Sequence, residues 1–361
     1  MTIIRAAVAR HFGQPLRIEQ VNLRAPNATE VEVTLATCAI CHSDISYMDG
    51  GWGGDLPAVY GHEAAGEISA VGAGVKDYAV GDTVLVTLIR ACGDCIPCAS
   101  GKPVSCTSPA NSDSPITALD GNPIAQGLDC AAFAERVVVD PSQLARIPAD
   151  LPMDAACLLS CGVITGVGAV VNTAGFRAGQ TAVVIGAGGV GLNAIQGARI
   201  AGAAKIIAVD LLESKLDAAM EFGATHGILA SNPKPWLAVR KITGGKMADA
   251  VFVTVGTTAV YQTAPRYLTM GGKMVMVGMP HSGDKASYEP VVIAATSQAM
   301  LGCKMGDVVL KRDIPWMVDL YQQGRLKLDD LVSGRWTLDT INQAIEDTRS
   351  GAARRNVVLF K

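Results

Sequence analysis

Two stretches of the chain differ in rhythm. Up to about residue 160, apolar and polar residues alternate in short runs, as in VEVTLATC (31–38) and AERVVVD (134–140). A period of two places alternate side chains on one face of a strand. Gly and Pro break these runs often, at GGWGGDLP (50–57) and DGNP (120–123), and mark turns. Residues 1–162 therefore read as an irregular, β-rich domain. After residue 162 the runs become uniformly apolar and alternate with helix-spaced segments. TAVVIG (181–186), KIIAVD (205–210), ADAVFVTVG (248–256) and GGKMVMVGM (271–279) predict buried strands. VGLNAIQGARIAGA (190–203) and LESKLDAAMEFGA (212–224) predict helices between them, the second with Leu212, Leu216, Ala219 and Phe222 on one face. Strands alternating with helices predict an α/β, doubly wound parallel sheet over 163–304. Residues 305–361 carry mixed signals and read as a return to the first domain.

The first predicted strand runs into GAGGVG. Gly186, Gly188 and Gly191 form G-x-G-x-x-G, with Gly189 and Val190 between the last two. Gly186 permits a tight turn, Gly188 lets the backbone approach a pyrophosphate, and Gly191 allows close helix–strand packing. The N–H groups at the helix start then face the phosphates. Such a motif alone is also an ordinary Gly-rich turn. Here a strand precedes it, a helix follows, and Asp210 ends the next strand 19 residues after Gly191. A carboxylate there accepts hydrogen bonds from ribose hydroxyls and repels a 2′-phosphate, which favours NAD over NADP. Lys215 is placed to add a ribose contact.

Ten cysteines change the picture further. Cys92, Cys95, Cys98 and Cys106 make C-x2-C-x2-C-x7-C within 15 residues. Four thiolates so spaced can close a tetrahedral structural zinc site, forming a lobe over about 90–108. An iron–sulfur cluster also takes four thiolates, but its usual run has a closer fourth Cys followed by Pro. Cys41, His62 and Cys161 are scattered, and their spacing alone leaves a second metal and simple packing both open. The formal charge of −3 shows no basic footprint for nucleic acid. Arg5 and Arg10 interrupt the N-terminal apolar residues, and no apolar run reaches the ~18 residues that span a bilayer. The expectation is a cytoplasmic protein without a membrane partner.

From CHSD (41–44) through GHE (61–63), the four-cysteine lobe, CGVITG (161–166), GAGGVG and VD (209–210) to RSGAARRNVVLF (349–360), the motifs stand in one order along the chain. In that order they resemble the zinc-containing alcohol dehydrogenases of the medium-chain dehydrogenase/reductase superfamily. The resemblance implies a GroES-like catalytic domain beside a Rossmann domain, NAD, and two zinc ions per chain. It implies that Cys41, His62 and Cys161 ligate a catalytic zinc with an open fourth position. Asp44 would orient the ligating His, and Glu63 would lie behind the metal. Arg355, with Arg354 beside it, would contact the pyrophosphate and pair with that acid. His42 would also reach the pyrophosphate, Val190 and Val277 would line the nicotinamide, and Thr165 would sit behind the ring.

Ser43 matches the hydroxyl that takes the alcohol proton. Many relatives continue the relay with a His where this chain has Ser46, which is no base near neutral pH, so proton release needs water or another group. Trp52, Leu88, Phe133 and Met279 match the substrate-lining set. They imply an uncharged primary alcohol, aliphatic or aromatic, and its aldehyde, with Arg90 as the one charged exception nearby. Cys38, Cys130, Cys157 and Cys303 match no ligand and read as packing residues. The implied reaction is hydride transfer in a cleft between the domains. Alternatives are an S-hydroxymethylglutathione dehydrogenase of the same superfamily and a non-catalytic NAD- and zinc-binding protein. The resemblance also implies that an apolar strand near 298–303 extends the sheet across a dimer, as in relatives, so the expectation is a homodimer or homotetramer.

Overall fold

A computed structural model describes residues 1–108 and 113–360. The chain forms two compact units, Met1–Cys161 with Val309–Lys361, and Gly162–Val308. Residues 305–308 thus belong to the second unit rather than to the return. The reason is local packing. Met305–Asp307 forms a short 3-10 turn, and a Cβ on Gly168 would lie 2.4 Å from the carbonyl oxygen of Gly306. Only two glycines permit that approach.

The second unit is a six-stranded parallel sheet. Its spatial order is His226–Leu229, Lys205–Asp210, Thr181–Ile185, Ala248–Val253, Leu268–Met276 and Ala299–Gly302. This is the doubly wound order in which the first strand lies at the centre. Thr181–Ile185 is buried after its first residue, as a strand covered on both faces requires. Helix Gly189–Ile200 packs on it and on Lys205–Asp210.

The first unit combines a closed five-stranded barrel with a seven-stranded sheet. Val31–Ala39 is central in that sheet, pairing with Glu63–Val71, Arg136–Val139 and Arg355–Leu359. Its sequence alternates, yet only Thr34 and Ala36 are partly exposed. Both faces are covered, so Thr37 and Cys38 are buried with the apolar residues. One core runs through barrel and sheet, including Val8, Val33, Ile68, Phe133 and Val358. Among the described residues no single helix is long and apolar enough to cross a membrane.

Candidate metal centre and cofactor site

Helix His42–Met48 begins at Cys41, whose backbone is extended. The carboxylate of Asp44, three residues on, accepts the Cys41 backbone N–H at 3.0 Å, satisfying one donor that a helix start leaves open. The other oxygen of Asp44 accepts the Gly61 N–H at 2.9 Å and meets Nδ1 of His62 at 2.9 Å. Nδ1 faces a carboxylate and so carries the proton. Nε2 then presents its lone pair. It is buried and has no hydrogen-bond partner among the described residues. Asp44 and His62 are wholly buried. One side chain thus fixes both a thiol-bearing turn and an imidazole.

Cys161 follows the 3-10 turn Cys157–Ser160. The donor atoms of Cys41, His62, Glu63 and Cys161 all lie within 4.8 Å of one another, and all four residues are buried. The hydrogen bond from Cys161 drives the Cys41 thiol well below its usual range, while the same contact, together with burial, drives Cys161 up. Burial opposes a charged His62, but Asp44 and Cys41 outweigh it and raise the imidazole. The S, S and N donors of the cluster, with an unpartnered Nε2, fit zinc.

Glu63 begins strand Glu63–Val71 and pairs with Arg355, the first residue of strand Arg355–Leu359. Burial pushes the Glu63 carboxyl up to about 7 even against the opposing pull of Arg355. Burial opposes the charge on Arg355, yet Glu63 and the nearby thiols raise it. One oxygen of Glu63 and Nε of Arg355 remain without partners among the described residues. Ser43 and Ser46 lie half-buried on the helix, and His42 is exposed.

The second cluster is built differently. The donor atoms of Cys92, Cys95, Cys98 and Cys106 also lie within 4.8 Å of one another, with Cys92 exposed and the others half-buried. Backbone N–H groups converge on the sulfurs: Cys92 and Ser108 donate to Cys106 at 3.4 Å each, and Cys95 donates to Cys92 at 3.3 Å. The backbone N–H of Thr107 leads the causes that lower Cys95 to about 6. The Cys92 N–H lowers Cys106 as well, whereas burial pushes Cys98 up to about 12; four sulfurs so gathered fit a closed zinc site.

In the second unit Gly186 has φ +97°, and a Cβ there would meet Val255 at 2.5 Å. A Cβ on Gly191 would lie 1.8 Å from the Gly186 carbonyl oxygen, whereas Gly188 faces open space. That open backbone opposite two crowded glycines is the cradle a pyrophosphate needs. Asp210 is half-exposed at its strand end and accepts the Ala187 N–H at 2.7 Å and the Leu212 N–H at 3.2 Å. It thus clasps the Gly turn and keeps lone pairs for a ribose. Val190 and Lys215 are half-buried nearby in sequence, and Gly189 opens the helix. Val277 donates to the Val253 carbonyl at 3.0 Å. Thr165 is buried, with its hydroxyl 3.8 Å from the sulfur of Met305.

The residues expected to line the substrate fall in both units. Trp52 is half-buried and edge-on to Tyr47 at 5.2 Å. Leu88 is half-buried against the core. Met279 belongs to the second unit and is 62% exposed. Phe133 has 0% exposure, and a Cβ on Gly61 would fall 2.6 Å from its ring. Phe133 therefore backs the His62 turn and presents no open surface as a channel wall. Arg90 lies 3.7 Å from Asp140. Cys38, Cys130 and Cys157 are buried and Cys303 is half-buried, all four held protonated by burial. Sequence reasoning missed Gln143 and Thr87, which bond around Cys130. D-x-x-Q at 140–143 signals only a capping box, so it hides the longer reach of Gln143.

Comparison with known proteins agrees with this architecture. Residues 27–149 match the alcohol dehydrogenase GroES-like domain, and residues 189–323 match the zinc-binding dehydrogenase family. The S-(hydroxymethyl)glutathione dehydrogenase of Paracoccus denitrificans is 35% identical, over 99% of each chain. An alcohol dehydrogenase zinc-binding domain protein from Burkholderia ambifaria superposes with a TM-score of 0.95 at 35% identity, covering 100% of this chain and 99% of its own. Benzyl alcohol dehydrogenase from Acinetobacter calcoaceticus gives 0.93 at 31% identity, covering 100% of both. With a full-length relative at this identity, and both domains matched, the chain belongs to the zinc-containing alcohol dehydrogenases of the medium-chain dehydrogenase/reductase superfamily, which are zinc-dependent alcohol oxidoreductases.

Proposed function

We propose that this protein moves a hydride between an uncharged primary alcohol or its aldehyde and NAD, using one catalytic and one structural zinc per chain. The observation that carries this reading is the convergence of Cys41, His62 and Cys161, from distant segments, on one buried point with Nε2 unpartnered. These three residues hold the catalytic metal, and Asp44 fixes the imidazole and the Cys41 turn. Zinc, when bound, supplies a Lewis acid that can lower an oxygen pKa from ~15.7 to about 7, and NAD supplies the hydride acceptor. Ser43 Oγ receives the alcohol proton, and water or another group takes the place of the relay base absent at Ser46. Gly186, Gly188, Gly189 and Gly191 bind the pyrophosphate, with His42 and Arg355 as further contacts. Asp210 and Lys215 bind the adenosine ribose, and Asp210 disfavours NADP by charge. Val190, Val277 and Thr165 hold the nicotinamide.

Trp52, Leu88 and Met279 bound the substrate, with Phe133 as backing. The neighbouring cation Arg90 is engaged by Asp140, which supports an uncharged substrate. A glutathione conjugate is the second reading, favoured by the Paracoccus relative. The edge strand Ala299–Gly302, with Met270 at 74% and Val291 at 72% exposure in the same unit, supports a homo-oligomer.

The test is metal analysis together with NADH absorbance across alcohols, S-hydroxymethylglutathione and an NADP control. Two zinc ions per chain and turnover of simple alcohols with NAD are expected. A single zinc confined to the cysteine lobe removes the proposed catalyst. Preference for the glutathione adduct selects the second reading.

A further inference from the structure

Between strands Pro123–Gln126 and Arg136–Val139 the backbone adopts conformations that residues with a Cβ rarely occupy. Leu128, Asp129 and Ala131 have φ of 55°, 56° and 59°. Such a segment persists only where its surroundings over-determine it. Here the surroundings converge on one side chain. Gln143 is 2% exposed, and its Nε2 donates to the Thr87 carbonyl at 3.0 Å and to the Asp129 carbonyl at 2.9 Å. Its Oε1 accepts the Asp140 N–H at 3.1 Å. The buried Cys130 thiol donates to the same Thr87 carbonyl at 3.1 Å and lies 3.5 Å from Nε2. The Gln143 carbonyl accepts the Thr87 N–H at 2.9 Å. Two separate segments are thereby joined. One is the turn at Thr87, which continues into Leu88. The other is the left-handed segment, which continues into Phe133 behind Gly61 and His62.

We propose that Gln143 is a positioning residue for the alcohol pocket, a strut that fixes the Thr87 turn leading into Leu88 and so the size of alcohol accepted. The proposal rests on the assignment of Leu88 to that pocket. Gln143 touches no reacting atom. Its amide reaches both segments, and an isosteric apolar side chain would leave the Asp129 carbonyl without that donor and the Thr87 carbonyl with the Cys130 thiol in its place.

The test uses the zinc-loaded, full-length enzyme with NAD and a pair of primary alcohols, one short and aliphatic, one bulky and aromatic. In Gln143→Met the kcat/KM ratio should move toward the bulky alcohol by about tenfold, the low end of what one methylene of pocket mismatch gives. The change should lie in KM rather than kcat. A purely structural role would lower the melting temperature and leave the ratio unchanged, and that result overturns the proposal. If Gln143→Met does not fold, Cys130→Ala weakens the same strut, and a smaller shift in the same direction is expected; no shift overturns the proposal. Leu88→Ala separates the two levels of inference. A changed ratio in Leu88→Ala with none in Gln143→Met overturns the strut alone. An unchanged ratio in Leu88→Ala overturns the pocket assignment and the strut with it.

Discussion

The two cysteine clusters offer the same donor chemistry in opposite surroundings. Cys92, Cys95, Cys98 and Cys106 fall within 15 residues, beside solvent, and their sulfurs take hydrogen bonds from neighbouring backbone N–H groups. Cys41, His62 and Cys161 lie 21 and then 99 residues apart, are buried, and are held by the side chain of Asp44 and by the sheet. Closing a short loop costs little chain entropy, so the lobe needs only its metal to become ordered. The buried centre exists only once the first unit has folded, and it then waits in position. On the proposed two-zinc reading, the contrast is between a local lobe that zinc would order and a buried donor set that the fold itself assembles.

The largest effect is expected in the lobe. Structural zinc in small modules is worth about 10–16 kcal/mol of apparent binding free energy, and Cys98→Ser should forfeit most of it. Metal analysis should find one zinc per chain, and limited proteolysis should nick the 92–108 segment. An intact, protease-resistant lobe in that variant would break the comparison. In the buried centre, removal of a donor should act on chemistry instead. His62→Ala is expected to lower kcat/KM by more than about a hundredfold, beyond the range typical of outer-shell changes. Its far-ultraviolet circular dichroism should match the wild type, because the surrounding core is built of apolar contacts.

The Glu63–Arg355 pair sharpens the point. Arg355→Met leaves a wholly buried carboxyl without its cation and should cost about 3–5 kcal/mol, read from denaturant unfolding. The double variant with Glu63→Gln should recover part of that loss, since no charge is then stranded. Asp44→Asn is the mildest change. It keeps an acceptor but loses the charge facing Nδ1, and should reduce zinc affinity or activity by about 10–100-fold. Wild-type zinc affinity in Asp44→Asn would mean that the imidazole is oriented by packing alone.

Legibility followed range. The Gly186–Gly191 turn, the strands at 181–185 and 205–210 and the four-cysteine lobe could be read directly, because each is governed by sterics or spacing over a few residues. Cys41, His62 and Cys161 could be grouped only through resemblance, since nothing in their spacing says they meet. The alternation of 31–38 predicted a strand, but not that Thr37 would be buried in a central one. Phe133 was expected to line the substrate, and it is instead fully buried and pressed on Gly61, a contact between residues 72 apart. Gln143 carried no signal beyond a helix cap.

By itself the amino-acid order determined two units of different rhythm, a dinucleotide turn closed by Asp210, and a local thiol lobe, because hydrogen bonding and backbone sterics act between near neighbours. Tertiary structure alone decided that one carboxylate would grip both Cys41 and His62, that Arg355 would meet Glu63 across 292 positions, and that Gln143 would tie two loops. Those contacts depend on which strands lie side by side and on how fully their faces are covered from water.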